Sequence, residues 1–496
     1  SRSTANTISS RKSCTMTRVS QSSRWDRRRR RPTTRFPNSY IEASLELGHP
    51  EIVAELIEGA RLQALAETAQ TLLSDRDEEH DFAALLSVTG VPLKEVHPVS
   101  VGGRSRVPEA GGRSAGPEPL SLEAAITSVG GSRAVFWSSW LAFKKYYWAI
   151  QSPDGTWSAG CKDLSSHADA IVAAVQKFRD GLPDSATLDQ RDQELLLMRD
   201  LGTMVIPLPL AELLEFTSTR VSPVSLVVTG AFVCQLPLPA LVIPGTADER
   251  LIERTVIRIQ PPTVFMEEIN SRPGGNSDDG LIVRLACLDP SGDLPYSRNY
   301  KIPAEKLITA PTKKEWAKGV PEWREPTWSR LATRSKLIEF LRQGTSGEPG
   351  VFVYSGHVQQ RGVADGPETS LLLADGPMSA AELSRLPIPS HVLLSACSSS
   401  GAAGAGAGEW LGLGGSLLRG GARQVIATSW PILDSAFTAR FELGILERMC
   451  ADGDPAAALR QSQLDALSEW HSHTWRPSET VNAALPWIWA AFQVIG

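Results

Sequence analysis

From residue 280 onward, short apolar runs alternate with helical stretches, and this alternation constrains the fold more than any other feature of the chain. LIVRLACLDP, GVFVYSGH, HVLLSAC and ARQVIATSWP read as strands, and PWIWAAFQVIG closes the chain. Helices are expected at 328–343, 379–386, Glu409 to Leu418, 434–450 and 455–469. Strands that are apolar at nearly every position have both faces covered, which is the signature of a mostly parallel sheet in an α/β protein. The predicted class is therefore an α/β three-layer sandwich with a mostly parallel sheet, preceded by a short helical segment.

Upstream the pattern changes. Residues 1–38 form a basic arm expected to be disordered; its first 37 residues hold eleven Lys/Arg against Asp26 alone. The chain's net charge of −5 thus conceals a strongly acidic remainder, and an acidic body is a poor nucleic-acid binder. Only the arm could touch nucleic acid, and a solvated tail is its plainer reading. The arm has no apolar stretch like that of a secretory signal, and its first residue is Ser, as processing or a gene boundary would leave. Residues 39–98 read as a helical segment whose hairpin, split by Gly48-His49-Pro50, is of the tetratricopeptide type without a second copy. Its apolar positions are Leu45, Ile52, Leu56, Leu65 and Leu72. Residues 99–119, rich in Gly, Pro, Ser and Arg, read as a linker. Residues 120–496 are the main domain, with halves 120–285 and 286–496. Within the first half, AVFWSSWLAFKKYYWAIQSPDGTWSAG reads as two aromatic strands and a turn, 164–181 as a long helix, and VSLVVTGAFVCQLPLPALVI as a strand pair.

Six cysteines without regular spacing or a CxxC argue against a disulfide framework and against a zinc cluster. No apolar stretch suits a membrane helix, because VSLVVTGAFVCQLPLPALVIPG is broken by Gln235 and prolines. The expectation is a reduced, cytoplasmic chain.

Parallel sheets place their sites beyond the carboxyl ends of their strands. Two strands end there in reactive residues, GVFVYSGH at His357 and HVLLSAC at Cys397, one crossover apart. As neighbours they would bring imidazole and thiol to one sheet edge, where the imidazole would take the thiol proton and later protonate a leaving amine. The small residues after Cys397 would let backbone N–H groups face an oxyanion. Cys287 also ends a strand, but Leu-Asp-Pro follows it, and it reads as core; Cys161, Cys234 and Cys450 read as structural. GAAGAGAGEW lacks the third Gly of a dinucleotide loop and the Lys-Ser/Thr of a P-loop. His471 and His473 lack a third metal ligand and read as loop. Neither a metal nor a cofactor is expected.

With these residues in view, residues 121–496 resemble the CHAT domain, a caspase-like cysteine peptidase family related to separases and often attached to tetratricopeptide repeats. The resemblance rests on AVFWSSW, PDG, LPLPALVIPG, LDPSGDLP, YSGH, LLSACSSSG, GEWLGLGGSLLRGGARQVIATSWPILD, DPAAALRQSQ and WAAFQVIG. It implies a caspase-like sandwich, no cofactor, a Cys397–His357 dyad, and an oxyanion hole of backbone N–H groups from Cys397 and the residue after His357. Relatives usually have Gly at that place; here it is Val358, and a β-branched residue is strained at positive φ. The resemblance also places Asp434 and Trp430 at the pocket for the residue before the cut bond, the carboxylate pairing with Arg or Lys and the indole walling an aliphatic stem. Asp434 could equally be a helix N-cap. The implied function is limited proteolysis of a protein partner, with a separate sensor or activator protein. A scaffold that keeps the fold, or an enzyme that cuts mainly itself, is the alternative.

Overall fold

The computed structural model describes residues 35–74, 121–142, 144–167, 169–171, 173, 188–230, 232–263, 266, 269, 281, 283–297, 332–342, 350–360, 369–397, 399, 412–472 and 484–496. The arm before residue 35, the 99–119 linker, the glycine-rich segment 401–411 and His473 lie outside them, as do most of the helix expected at 164–181 and the flanks of the one expected at 328–343.

The described chain begins with α1 (Arg35–Glu46) and α2 (Pro50–Ser74), followed by α3 (Leu122–Gly130) and strands β1 (Val135–Ala142), β2 (Lys145–Gln151) and β3 (Trp157–Asp163). Then come α4 (Leu188–Val205), α5 (Leu208–Thr217), β4 (Val224–Thr229), α6 (Leu251–Arg254), β5 (Thr255–Ile259) and β6 (Val283–Leu288). The second half runs α7 (Arg334–Arg342), β7 (Val351–Ser355), β8 (Val358–Gln360), β9 (Thr369–Leu373), β10 (Gly376–Ser379), α8 (Ala380–Leu383) and β11 (His391–Ser395). It ends with α9 (Leu413–Gly420), β12 (Gln424–Thr428), α10 (Ala436–Asp452), α11 (Pro455–Ser472), α12 (Pro486–Trp489) and β13 (Phe492–Ile495).

Ten strands make one sheet in the order β3-β2-β1-β4-β5-β13-β12-β11-β7-β6. Only β3–β2, β2–β1 and β13–β12 are antiparallel, so the sheet is mostly parallel and the expected α/β sandwich is what the chain forms. Alternation across the pleat covers both faces of the N-terminal end. Phe136, Tyr147, Ala149 and Val227 pack against the α1–α2 hairpin, while Val135, Trp137, Tyr146 and Val228 join the main core with α4 and α5.

Four readings need correction. First, AVFWSSW through TWSAG gives three strands, with the Pro153-Asp154-Gly155 turn joining the second to the third. Second, LPLPALVI is not a strand. Its prolines remove ladder donors, and it winds through 3₁₀ turns at Val233–Gln235 and Leu238–Ala240 to an isolated bridge at Val242. Third, the helix expected at 379–386 is shorter, Ala380–Leu383, and the crossover from β7 to β11 also carries a three-stranded sheet, β10-β9-β8, whose β9–β10 turn is Ala374-Asp375. Fourth, the most buried stripe of α2 is Val53, Ala54, Ile57 and Ala60, one residue away from Ile52 and Leu56.

That stripe is fixed by an ion pair inside the interface. Arg61 bonds Glu58 at 2.5 Å, and Glu58 Oε1 accepts the Thr263 N–H at 2.8 Å. Both side chains are almost fully buried, so the hairpin is joined to the sheet rather than tethered beside it. A second buried pair, Arg250 with Glu194, ties the start of α6 to α4, and Arg250 also donates to the Ala240 carbonyl.

Candidate active site

The site is built by strand register. β7 and β11 are parallel neighbours in which Ser355 pairs with Ser395, and the Gly356 N–H donates to the Ser395 carbonyl at 3.2 Å. His357 and Cys397 each follow their serine by two residues, so thiol and imidazole leave the same edge of the sheet side by side. The adjacency expected from one crossover is therefore present.

Each strand end is held from below. Tyr354, fully buried, donates its hydroxyl in a forked bond to the His357 carbonyl at 2.8 Å and the Leu372 carbonyl at 2.9 Å. Ser395 donates to Glu442, a buried carboxylate on α10. After the cysteine, Ser399 Oγ donates to the Leu394 carbonyl at 3.2 Å and accepts the Thr428 N–H at 3.0 Å. Ser399 is fully buried, so the turn that carries Cys397 is fastened to both β11 and β12.

The thiol is partly buried and bonds the Ile432 carbonyl at 3.6 Å. Burial pushes its pKa above the ordinary thiol value, with backbone groups of Ile432 and of Cys397 itself offsetting part of that rise. His357, half exposed, bonds Asp293 through Nε2 at 3.1 Å. Among the described residues no hydrogen bond joins Cys397 to His357. The thiol is thus engaged with a carbonyl and its neighbour His357 with a carboxylate.

Val358 opens β8 with ordinary backbone; the only described non-glycine residues at positive φ are Lys144, Asp248 and Asp289. In the β8–β9 ladder the Leu372 N–H donates to the His357 carbonyl at 3.0 Å, which makes Val358–Leu371 the pair without mutual hydrogen bonds. The Val358 N–H thus points away from β9, toward the open edge of the small sheet. The β-branched side chain brings no strain and packs on the main core.

Asp434 does not cap α10. Ser435 does, its hydroxyl accepting the Thr438 N–H at 3.1 Å. The Asp434 carboxylate instead accepts the backbone N–H groups of Tyr296 at 3.1 Å and Ser297 at 3.0 Å, and the Ser297 hydroxyl at 3.2 Å. Trp430 is 2 % exposed and donates its indole N–H to the Trp487 carbonyl at 2.6 Å, so it offers little surface to a ligand. The other described cysteines are not part of this pair: Cys287 and Cys234 are buried, Cys161 is exposed on β3, and burial raises Cys450 to about 12. His471 lies in the last turn of α11 rather than in a loop. No group of side chains among the described residues could hold a metal ion.

Sequence reasoning missed Asp293, Ser297, Glu442 and Ser399. The first two lie in the segment DPSGDLPYS, whose turn-forming residues just past a strand end were a visible signal. Ser399 stood in the SSSG that follows the cysteine.

Fold and site together define an α/β protein whose adjacent parallel strands deliver a cysteine and a histidine to one edge. The CHAT domain model matches residues 196–496, and the chain belongs to that family. No curated protein matches the sequence. Among solved structures, two of the Saccharomyces cerevisiae separase–securin complex, at 3.0 and 2.6 Å, are similar at 12% identity. Their TM-scores are 0.43 and 0.44, and the matches cover 75% of this chain but 30% and 31% of that one. The chain spans less than a third of the length of the chains it matches. No helix among the described residues is long and apolar enough to cross a membrane.

Proposed function

We propose that the protein is a cysteine endopeptidase that carries out limited proteolysis of a protein partner and rests in a low-activity state. The observation that carries this reading is the register of β7 and β11, which sets His357 and Cys397 side by side at the sheet edge. In the first step the thiol proton passes to the imidazole and Sγ bonds to the scissile carbonyl carbon. The oxyanion is received by the N–H groups of Val358 and Cys397. Collapse breaks the C–N bond, the imidazolium returns its proton to the leaving amine, and water then hydrolyses the thioester with the imidazole again as base.

The resting contacts support a requirement for a signal or partner. A partly buried thiol whose pKa is raised by burial and which bonds Ile432 is a weak nucleophile. Activation consists of releasing it to His357, and a separate activator protein would do so by moving the 430–434 segment. The same contacts also suit a scaffold with little turnover, so the test is direct. Purified protein incubated with a proteome-derived peptide library should cleave it slowly when alone and faster with its activator, and Cys397→Ala and His357→Ala should each abolish cleavage while keeping the wild-type thermal midpoint. Cleavage that survives Cys397→Ala excludes the mechanism. No cleavage by the wild type, with or without a partner, favours the scaffold.

For specificity we favour Arg or Lys before the cut bond, recognised by Asp434. Its Oδ2 accepts one N–H where Oδ1 accepts two donors, which leaves one oxygen with room for a cation. Trp430 contributes by holding the segment in place. Library cleavage concentrated after basic residues and lost in Asp434→Asn supports this pocket, and cleavage after apolar residues unchanged in that variant rules it out.

A further inference from the structure

The loop leaving β6 runs from the end of β7 to the segment after β12 and is fastened along its length. The Asp289 N–H donates to the Ser355 carbonyl at 2.8 Å, and the Asp289 carboxylate accepts the Leu294 N–H at 3.0 Å. At the far end Asp434 takes the N–H groups of Tyr296 and Ser297, and the Ser297 hydroxyl meets that of Ser355 at 2.9 Å. Between these anchors stands Asp293. Its Oδ1 accepts the Ser291 hydroxyl at 2.5 Å and faces His357 Nε2 at 3.1 Å. An exposed ion pair on a floating loop would mean little, but this carboxylate is presented from a platform that is itself bonded to the strand carrying His357.

We propose that Asp293 is a positioning residue for His357: its carboxylate holds the proton on Nε2, leaves Nδ1 as the nitrogen that accepts the thiol proton, and stabilises the imidazolium formed when it does. The inference rests on the peptidase reading. A carboxylate bonded to one ring nitrogen decides which nitrogen carries the lone pair, and charge on the ring strengthens that bond. Asp293 is fitted to the task because the Ser291 hydroxyl, and then His357, keep its carboxyl below its ordinary range. The neighbouring carboxylates serve other groups: Asp289 accepts the Leu294 N–H and Asp434 the N–H groups of Tyr296 and Ser297, and among the described residues neither bonds His357. The cost of losing an exposed partner is modest, about two- to fivefold in rate.

The test reads thiol reactivity and needs no substrate. The rate of alkylation of Cys397 by iodoacetamide is measured against pH in the full chain, by mass spectrometry of the peptide that contains it. His357→Ala should slow alkylation near neutral pH, Asp293→Asn and Asp293→Ala should slow it two- to fivefold, and Asp293→Glu should recover part of the loss. All rates should converge at high pH, where the thiolate forms without help, and a merely structural role for Asp293 would not produce that convergence. If His357→Ala slows alkylation and both Asp293 variants match the wild type, the positioning role is wrong while the dyad stands. If His357→Ala itself changes nothing, the dyad fails and the inference falls with it.

Discussion

Replacing Gly356 by Ala isolates the packing that aims His357. Gly356 has no positive φ, so backbone strain does not enter. A Cβ there would lie 2.6 Å from the Tyr354 hydroxyl oxygen and 2.7 Å from the ring carbon bearing it. Both are well inside contact distance, and the ring is buried and cannot swing to solvent. Either the ring or the strand end must move by several tenths of an ångström, and the forked bond from Tyr354 to the His357 and Leu372 carbonyls breaks. Overpacking of this kind costs about 1–3 kcal/mol, and the lost hydrogen bond adds about 1 kcal/mol. The expected total is about 2–4 kcal/mol by urea denaturation, with Cys397 alkylation slowed because His357 is displaced. Tyr354→Phe alone should cost only about 1 kcal/mol. Combined with Gly356→Ala it should recover part of the loss, since the oxygen in closest conflict is gone. A Gly356→Ala protein with wild-type stability, or a double variant whose costs simply add, would refute the reasoning.

Two further perturbations test the frame around the site. Burial, and then the nearby Arg423 charge, depress His391, the first residue of β11, to about 4. The unfolded chain takes up its proton near pH 6.5 and the native one only near 4, so His391 destabilises the fold progressively as pH falls through that window. The full loss is about 3 kcal/mol, and His391→Gln should flatten stability against pH between those values; an unchanged slope would contradict it. Glu58→Ala should cost about 3 kcal/mol or more, because it removes the carboxylate that faces the buried Arg61 guanidinium. A loss below about 1 kcal/mol in a thermal or urea melt would mean that the hairpin is loosely attached.

How much of this was legible beforehand follows from the range of the interactions. The strands that carry His357 and Cys397 announce themselves by unbroken apolar runs, and their adjacency follows from crossover length, so the thiol and imidazole could be placed from the sequence. Asp293 could not, because its link to His357 spans 64 residues and depends on how one loop is anchored. The α10 cap was ambiguous for a local reason. Asp434 and Ser435 are adjacent and both are good capping residues, and only the demand of the Tyr296 and Ser297 N–H groups for an acceptor decides between them. LPLPALVI is strand-like in apolar content, but its prolines cannot donate to a ladder, so it takes a 3₁₀ path instead.

The central claim is that Cys397 is the nucleophile of a peptidase, and a covalent trap tests it most directly. Full-length protein is treated with a peptidyl acyloxymethyl ketone bearing Arg or Lys at its reactive end, and the adduct is located by tandem mass spectrometry. The account predicts a thioether on Cys397 alone, absent in Cys397→Ala and sharply reduced in His357→Ala. An adduct on Cys287 or Cys161, or equal labelling of Cys397 with and without His357, would contradict it.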